Sequence, residues 1–215
     1  MSSLAARLVE IQDRIARACE VVGRDPAEVC LIAVSKTYPR SAVLAAYDLG
    51  LRHFGESRLQ EALPKQEGLP DDIVWHFIGP LQSNKAKRAA QAFHVIHSLS
   101  SKAQLDEIAK SGSTIEGLLQ VNLGREQQKF GIFGETLDAA LQDVLHCTSV
   151  RFRGLMTIGP QVENPEEARP IFRRLAELGR EVGADWLSMG MSGDFEVAIQ
   201  EGASHVRIGS ALFGR

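Results

Sequence analysis

No stretch of this 215-residue chain approaches the roughly 20 consecutive apolar residues of a membrane span. Arg7, Glu10, Asp13 and Arg14 interrupt any apolar run near the N-terminus, so nothing there reads as a targeting signal. Cysteine is scarce as well. Cys19, Cys30 and Cys147 are odd in number, widely spaced and set in apolar patterns, which excludes a disulfide framework and predicts reduced core thiols in a cytosolic protein. No Cys-x-x-Cys occurs, and the closest histidines, His94 and His97, fall in an expected strand, so no metal site is expected. A net charge of -3 gives no global attraction for nucleic acid or an anionic membrane. What is present is a composition of 44% hydrophobic and 24% charged residues, enough to bury a full core without needing more than one domain.

The pattern along the chain opens with a helix within residues 1–23, where Leu4, Leu8, Ile11, Ile15, Cys19 and Val22 recur at spacings of three and four and Gly23 supplies the stop. Eight strands are then expected: Val29–Val34, His53–Phe54, Val74–Ile78, His94–Ile96, Gly117–Val121, Phe152–Met156, Trp186–Met189 and His205–Ile208. Helical patterns fall between them at Ser41–Asp48, Ser57–Leu63, Lys102–Ser111, Thr136–Leu145, Pro165–Val182 and Asp194–Glu201. Eight strand-helix repeats predict a single (β/α)8 TIM barrel with an extra N-terminal helix, spanning residues 1–215 as one domain. The rival is a doubly wound open sheet, but no Gly-x-Gly-x-x-Gly follows the first strand.

Such barrels gather their chemistry at the C-terminal ends of the strands, with phosphate often held by the loops after strands seven and eight. Lys36 closes the first apolar run, Leu31 to Thr37. In a dry pocket its amine becomes a nucleophile able to form a Schiff base; the bland alternative is a lysine that snorkels to water. The seventh loop, Ser188 to Asp194, exposes backbone N–H groups at a helix start with Ser192 as an added donor, and Gly209 and Ser210 could open a short helix after strand eight in the same way. Read separately, each loop is equally well plain turn chemistry with an N-cap. Lysine and phosphate cup together admit a phosphorylated sugar handled by a Schiff-base aldolase, or pyridoxal 5'-phosphate (PLP) joined to Lys36. Arg207, on strand eight, favours the second: a permanently charged donor to a pyridine nitrogen keeps it unprotonated and makes the ring a poor electron sink. A salt bridge to a neighbouring carboxylate is its bland alternative.

The runs Ala33 to Thr37, Phe54-Gly-Glu56 with Gln60-Glu61, Trp75 to Lys85, Arg153 to Ile158, Leu187 to Ser192 and Val206 to Gly214 closely resemble the pyridoxal phosphate homeostasis proteins, single-domain relatives of the N-terminal barrel of alanine racemase. The resemblance covers nearly the whole chain. It implies PLP as cofactor, with Lys36 as the aldimine lysine, Arg207 as the pyridine-nitrogen partner and Ser192, Gly209 and Ser210 as phosphate ligands. Met191, Gly193, Ser57, His76 and Met156 are implied as further contacts. One departure is visible, because many family members have Asn after Phe-Gly-Glu where this chain has Ser57; the shorter side chain weakens or hydrates one contact near the cofactor.

The long Trp75–Lys85 motif is less readily explained. His76 reads as a core histidine with a satisfied ring, Asn84 could cap the following helix, and Lys85, Lys87 and Arg88 form a basic patch of the kind that is usually a solvated helix face. Lys129 is a possible second amine near the mouth, or a surface loop lysine. A racemase needs acid/base groups on both faces of its substrate. Only Tyr38 and Tyr47 are available as tyrosines, Tyr38 sits two residues from Lys36, and the sequence stops before the second domain that completes alanine racemase. An aldolase needs a general acid or base at the carbonyl, and Glu56 is the obvious candidate. The expectation is therefore a non-catalytic, cytoplasmic, monomeric PLP carrier that buffers the cofactor or delivers it to PLP-dependent acceptor enzymes, with weak racemase and Schiff-base aldolase as alternatives.

Overall fold

The structure is a computed structural model that describes residues 3–124 and 130–214. Ser3 starts α1 (Leu4–Val21) by accepting a hydrogen bond from Ala6 N at 3.2 Å, and Gly23 ends it in the left-handed region at φ +65°. Eight parallel strands follow: β1 (Cys30–Val34), β2 (His53–Glu56), β3 (Val74–Phe77), β4 (Val95–Leu99), β5 (Ile115–Gln120), β6 (Val150–Met156), β7 (Trp186–Met191) and β8 (His205–Ile208). They are ordered β1 through β8 and close on themselves, with Ile32 registered against Arg207 and Ala33 against Ile208. The outer ring is made by α2 (Arg40–Asp48), α3 (Leu59–Gln66), α4 (Ser83–Ala92), α5 (Lys102–Ala109), α6 (Leu137–His146), α7 (Arg169–Glu181), α8 (Phe195–Gln200) and the single turn α9 (Ser210–Phe213). This is the (β/α)8 barrel with an added N-terminal helix that the repeat pattern predicts.

Several boundaries differ from expectation, each for a physical reason. Strands β2, β4 and β7 run two or three residues further than apolar patterning indicates, to Glu56, Leu99 and Met191. Their last residues include polar groups, such as Glu56 and Ser98, that are buried at the barrel mouth and so carry no apolar signal. The α3 helix begins two residues later than expected and continues through Pro64 to Gln66. A proline normally ends the pattern at the preceding residue, but Lys65 is 7% exposed and bonded inward, which keeps this last turn wound. Asn84 does not cap α4; that position belongs to Gln82, and Asn84 lies inside the first turn. The Pro165–Val182 pattern divides into a short 3-10 turn over Pro165–Ala168 and then α7.

Most of the core lies between the strands and the helices, where Phe54, Phe172 and Phe195 are fully buried. The α1 helix packs behind α8 and α9: Arg14 clamps Glu196 through bonds of 3.0 and 2.7 Å and stacks 4.6 Å over the Phe195 ring, while Arg7 Nε donates to Leu212 O at 2.6 Å. It thus braces the two elements that follow the loops after β7 and β8. No helix among the described residues is long and apolar enough to cross a membrane.

The barrel interior is unusually polar. Where branched aliphatics normally fill the layers, His76, His97, Ser188, His205 and Arg207 are all buried. Burial lowers the pKa of His53, His76, His94, His97 and His205, the last to about 3. The unfolded chain takes up protons below about pH 6.5 while these rings stay neutral in the fold, so stability is full above that value and is lost as pH falls towards the folded pKa values. Glu56 and Asp194, raised first by burial, pull the other way, but two groups oppose five. Each fully buried ring is expected to cost about 1.4 kcal/mol per pH unit below the unfolded pKa. Urea midpoints at about pH 7.5 and about pH 5 measure this; an unchanged midpoint would refute it.

Candidate functional site

At the C-terminal end of β1 the chain leaves the sheet abruptly. Ser35 is fully buried, Lys36 is exposed, and Thr37 takes φ +68°, making it the one non-glycine with positive φ among the described residues. A β-branched residue in that conformation is strained and needs support from its surroundings. The support comes from a buried ammonium. Lys65 Nζ donates to Ser35 O at 2.8 Å, to Glu56 Oε1 at 2.6 Å and to Glu61 Oε1 at 3.2 Å; Glu61 Oε1 in turn accepts a short hydrogen bond from Thr37 N. Ser35 Oγ adds a bond to Glu56 Oε1 at 2.7 Å. Both neighbours of Lys36 are therefore tied, directly or through Glu61, to one cation. The Glu56 carboxyl is pushed up by burial, against the pull of Lys65 and Ser35, and its Oε2 has no partner among the described residues.

Across the mouth, β7 contains Gly190 at φ +89°, one residue before the strand's end, where an added Cβ would lie 2.6 Å from Ala198 Cβ and 2.9 Å from Phe195 Cα. Only glycine lets the strand pass so close to α8. Asp194 Oδ1 closes the loop by accepting from Met191 N at 2.6 Å rather than capping α8. Ser192 Oγ accepts from Gly209 N and from Ala211 N, both at 3.3 Å, so the backbone donors of the β8 loop converge on one oxygen. Because α9 is a single turn, these donors act by direct hydrogen bonding and not through a summed dipole. Tyr38 ties this half to the first strand: its hydroxyl donates to Gly214 O and its ring lies 4.8 Å from that of Phe213.

Arg207 lines the mouth from below. It is 5% exposed, donating from Nη1 to Ser188 Oγ at 2.7 Å and from Nη2 to Thr157 O at 2.9 Å. Burial lowers its pKa to about 10, with Asp194 pulling it back up. Both direct partners are neutral oxygens, so the salt-bridge alternative does not describe its contacts.

A cavity of about 400 Å³ is lined by Lys36, Ser57, Met191, Ser192, Gly193, Arg207, Gly209 and Ser210, eight of the ten site residues drawn from the sequence, and also by Val34, Thr37, Tyr38, Ile78 and Ile158. His76 and Met156 lie inside the barrel, outside this lining. His76 is bonded to His53 and His97, and Met156 is packed with Val95 and Leu118. The expectation of a dry pocket around Lys36 fails, since the side chain sits in an exposed turn at the cavity rim. Glu56, the aldolase candidate, points into the Lys65 cluster and does not line the cavity. Lys87 and Arg88 lie on the exposed face of α4, with Lys85 partly buried, and Lys129 falls outside the described residues. Among the described residues no group of three or more His, Cys, Asp or Glu could hold a metal ion.

Sequence reasoning missed Tyr38 as a lining residue and Lys65 as the anchor of the Lys36 turn. Tyr38 carried a signal in its distance of two residues from Lys36. Lys65 carried none, because a lysine in a helix reads as a surface residue until its partners are known.

The alanine racemase N-terminal domain model matches residues 7–215. Two curated relatives, the pyridoxal phosphate homeostasis proteins of Aquifex aeolicus (strain VF5) and Pseudomonas aeruginosa, are each 45% identical, over 97% and 100% of this chain respectively and 96% of each relative. The solved structure of PipY from Synechococcus elongatus PCC7942 with PLP bound superposes with a TM-score of 0.85 at 36% identity, covering 99% of this chain and 100% of PipY. Similarity at this level over nearly the whole chain makes it a member of the alanine racemase N-terminal domain family, among its pyridoxal phosphate homeostasis proteins.

Proposed function

We propose that this protein binds PLP in the mouth of its barrel and acts in PLP homeostasis as a carrier, without committed turnover. The observation that carries this reading is the make-up of the cavity between the first, seventh and eighth strand ends. It joins an amine with no hydrogen bond or ion pair among the described residues, a buried guanidinium and a cluster of serine hydroxyls and backbone N–H donors, on three different loops. Those groups fit the cofactor's parts in kind. Lys36 supplies the amine for the aldehyde, Arg207 the donor for the ring nitrogen, and Ser192, Gly209 and Ser210 the phosphate cradle, with Met191, Gly193 and Ser57 completing the wall. PLP supplies a reactive aldehyde and an electron-withdrawing ring.

The carrier reading rests on what lines the cavity. Among the described residues its titratable side chains are Lys36, Tyr38 and Arg207. The Tyr38 hydroxyl is engaged with Gly214 O, and Arg207 is held by Ser188 and Thr157. No carboxylate or imidazole among the described lining residues stands opposite Lys36 to exchange a proton with a second face of a substrate. A permanently charged donor at the ring nitrogen also limits electron withdrawal. The solvated position of Lys36 suits release of cofactor by exchange with other amines. In the α1 helix the apolar side is covered, leaving Val9 and Val21 as scattered exposed residues, in keeping with a single-domain monomer. Cytoplasmic location and transfer to PLP-dependent acceptor enzymes complete the proposal. His76 and Met156 contribute from beneath the cavity as support for its floor.

Lys36→Ala is expected to abolish the borohydride-fixed pyridoxyl mass on the protein while leaving weaker, phosphate-dependent PLP binding. Peptide mass mapping checks this; unchanged covalent labelling moves the role to Lys129 or another amine. Lys65→Met leaves the Glu56 carboxylate buried without its cation and frees both neighbours of Lys36. Unfolding in urea is expected to show a loss of about 3 kcal/mol, with a marked drop in the rate of PLP labelling of Lys36. A Lys65→Met, Glu56→Leu double variant recovers stability and still labels slowly; normal labelling in that variant would show that the Lys36 turn needs no such anchor.

A further inference from the structure

Three imidazoles, two of them fully buried, and a buried serine form a continuous column along the inside of the barrel. His53 Nδ1 lies 3.0 Å from His76 Nε2, His76 Nδ1 lies 2.9 Å from His97 Nε2, and His97 Nδ1 lies 2.9 Å from Ser188 Oγ, which accepts from Arg207 Nη1 at 2.7 Å. The residues come from four neighbouring or facing strands, β2, β3, β4 and β7, and reach Arg207 on β8. His76 and His97 are 1% and 0% exposed, whereas His53 is half-buried and lines an open cleft of about 640 Å³ at the opposite end of the barrel, with Arg52, Asp185 and His205. The column thus spans the interior from that lower cleft to the floor of the ligand cavity. Buried polar side chains cost stability unless every one is bonded, and an aliphatic layer would fill this space without that demand.

Proton counting fixes the direction of the column. A guanidinium only donates, so Ser188 Oγ accepts from Arg207 and has one proton of its own to give. Burial keeps His97, His76 and His53 neutral at ordinary pH, leaving one proton on each ring. If Ser188 donates to His97 Nδ1, the His97 proton sits on Nε2 and points at His76 Nδ1; the His76 proton then sits on Nε2 and points at His53 Nδ1. The His53 proton, on Nε2, is left for the lower cleft. Every donor in this arrangement has an acceptor. In the reverse arrangement His97 donates to Ser188 as well, and the serine proton has no acceptor among the hydrogen bonds of the described residues. The charged and titratable groups around the column are His205, with its ring 6.3 Å from those of both His76 and His97, His94 beside His76, Arg153 near His205, and Asp194 acting on Arg207.

We propose that His97, His76 and His53 act through Ser188 as positioning residues for Arg207, forming a column of fixed polarity that holds the guanidinium at the cavity floor and ends in an N–H directed to the lower cleft. Its bearing on ligand affinity rests on the PLP reading above; its polarity and its hold on Arg207 do not. The column makes Ser188 a better acceptor, because a hydroxyl that donates to an imidazole becomes more electron-rich towards Arg207. Asparagine at position 97 can offer an acceptor near the Nδ1 place, whereas leucine cannot.

The first experiment is side-chain 15N NMR on the full chain without PLP at neutral pH. Nε2–H, Nδ1-bare tautomers at His97, His76 and His53 are expected, and an Nδ1–H tautomer at His97 overturns the assignment. The second compares His97→Leu with His97→Asn. Guanidinium proton exchange at Arg207 in the ligand-free protein is expected to quicken in His97→Leu and to stay slow in His97→Asn, and the apparent Kd for PLP is expected to rise about tenfold in the first variant and recover in the second. Equal behaviour of the two variants overturns the proposal. Should His97→Leu fail to fold, the wild-type tautomers and His97→Asn exchange still decide it. A wild-type protein that does not bind PLP would remove the functional reading, while the tautomers and the Arg207 exchange rates would uphold or overturn the column on their own.

Discussion

Closure of the sheet between β1 and β8 is the constraint on which the rest of the molecule depends. The pairing of Ile32 with Arg207 and Ala33 with Ile208 brings the Lys36 turn alongside the loop that contains Gly209 and Ser210. Neither segment is a site by itself. Lys36 without the facing loop is an exposed lysine, and the β8 loop without β1 is a short turn of small residues. Closure also satisfies the backbone of both strands, so neither presents an unpaired edge. The cavity is a consequence of that ring, placed where strand ends release their side chains and loops are free to differ.

The polar groups in and around the barrel are arranged as two separate systems. Beside β1, Lys65, Glu56, Glu61 and Ser35 compensate one another and hold a strained turn. Beneath the mouth, Arg207 relies on Ser188 and Thr157, with the histidines behind them. The first resembles a buried ion pair, worth little in net stability and costly to halve. In the second a cation is buried on neutral acceptors, which orients it without cancelling its charge. A carboxylate in that place would hold the guanidinium at least as firmly and would leave less positive charge facing the cavity.

Much of this was legible in the sequence. Apolar runs such as Leu31–Val34 identify strands because they are largely buried on both faces, and the spacing of the strands identifies the barrel. The small-residue loops after β7 and β8 and the position of Lys36 identify the mouth. Strand ends were harder, since Glu56 and Ser98 are polar and buried at once. Lys65 was invisible because its partners, Ser35 and Glu56, lie 30 and 9 residues away and meet it only after folding. The histidines left a faint trace, one each in His53-Phe-Gly, Trp75-His-Phe and Val95-Ile-His, which places a ring in three successive strands. Their bonding to one another could not be read from that, because it depends on the shear of the closed barrel.

The bracing of α8 and α9 by α1 has a consequence for synthesis. Arg14 needs Glu196, Arg7 needs Leu212, and β1 needs β8, so these segments find their partners in chain that is made much later. Intermediate strands can pair with their neighbours as they emerge, and the Lys65 system is complete in sequence by then, but the ring stays open and the Arg207 system stays incomplete until the segment beyond Ser188 has been made. Contacts of such long sequence separation form slowly. During translation the nascent chain therefore carries Lys36 and an unpaired β1 edge well before it has a phosphate cradle, and the window for mispairing or chaperone capture closes only when the ring does.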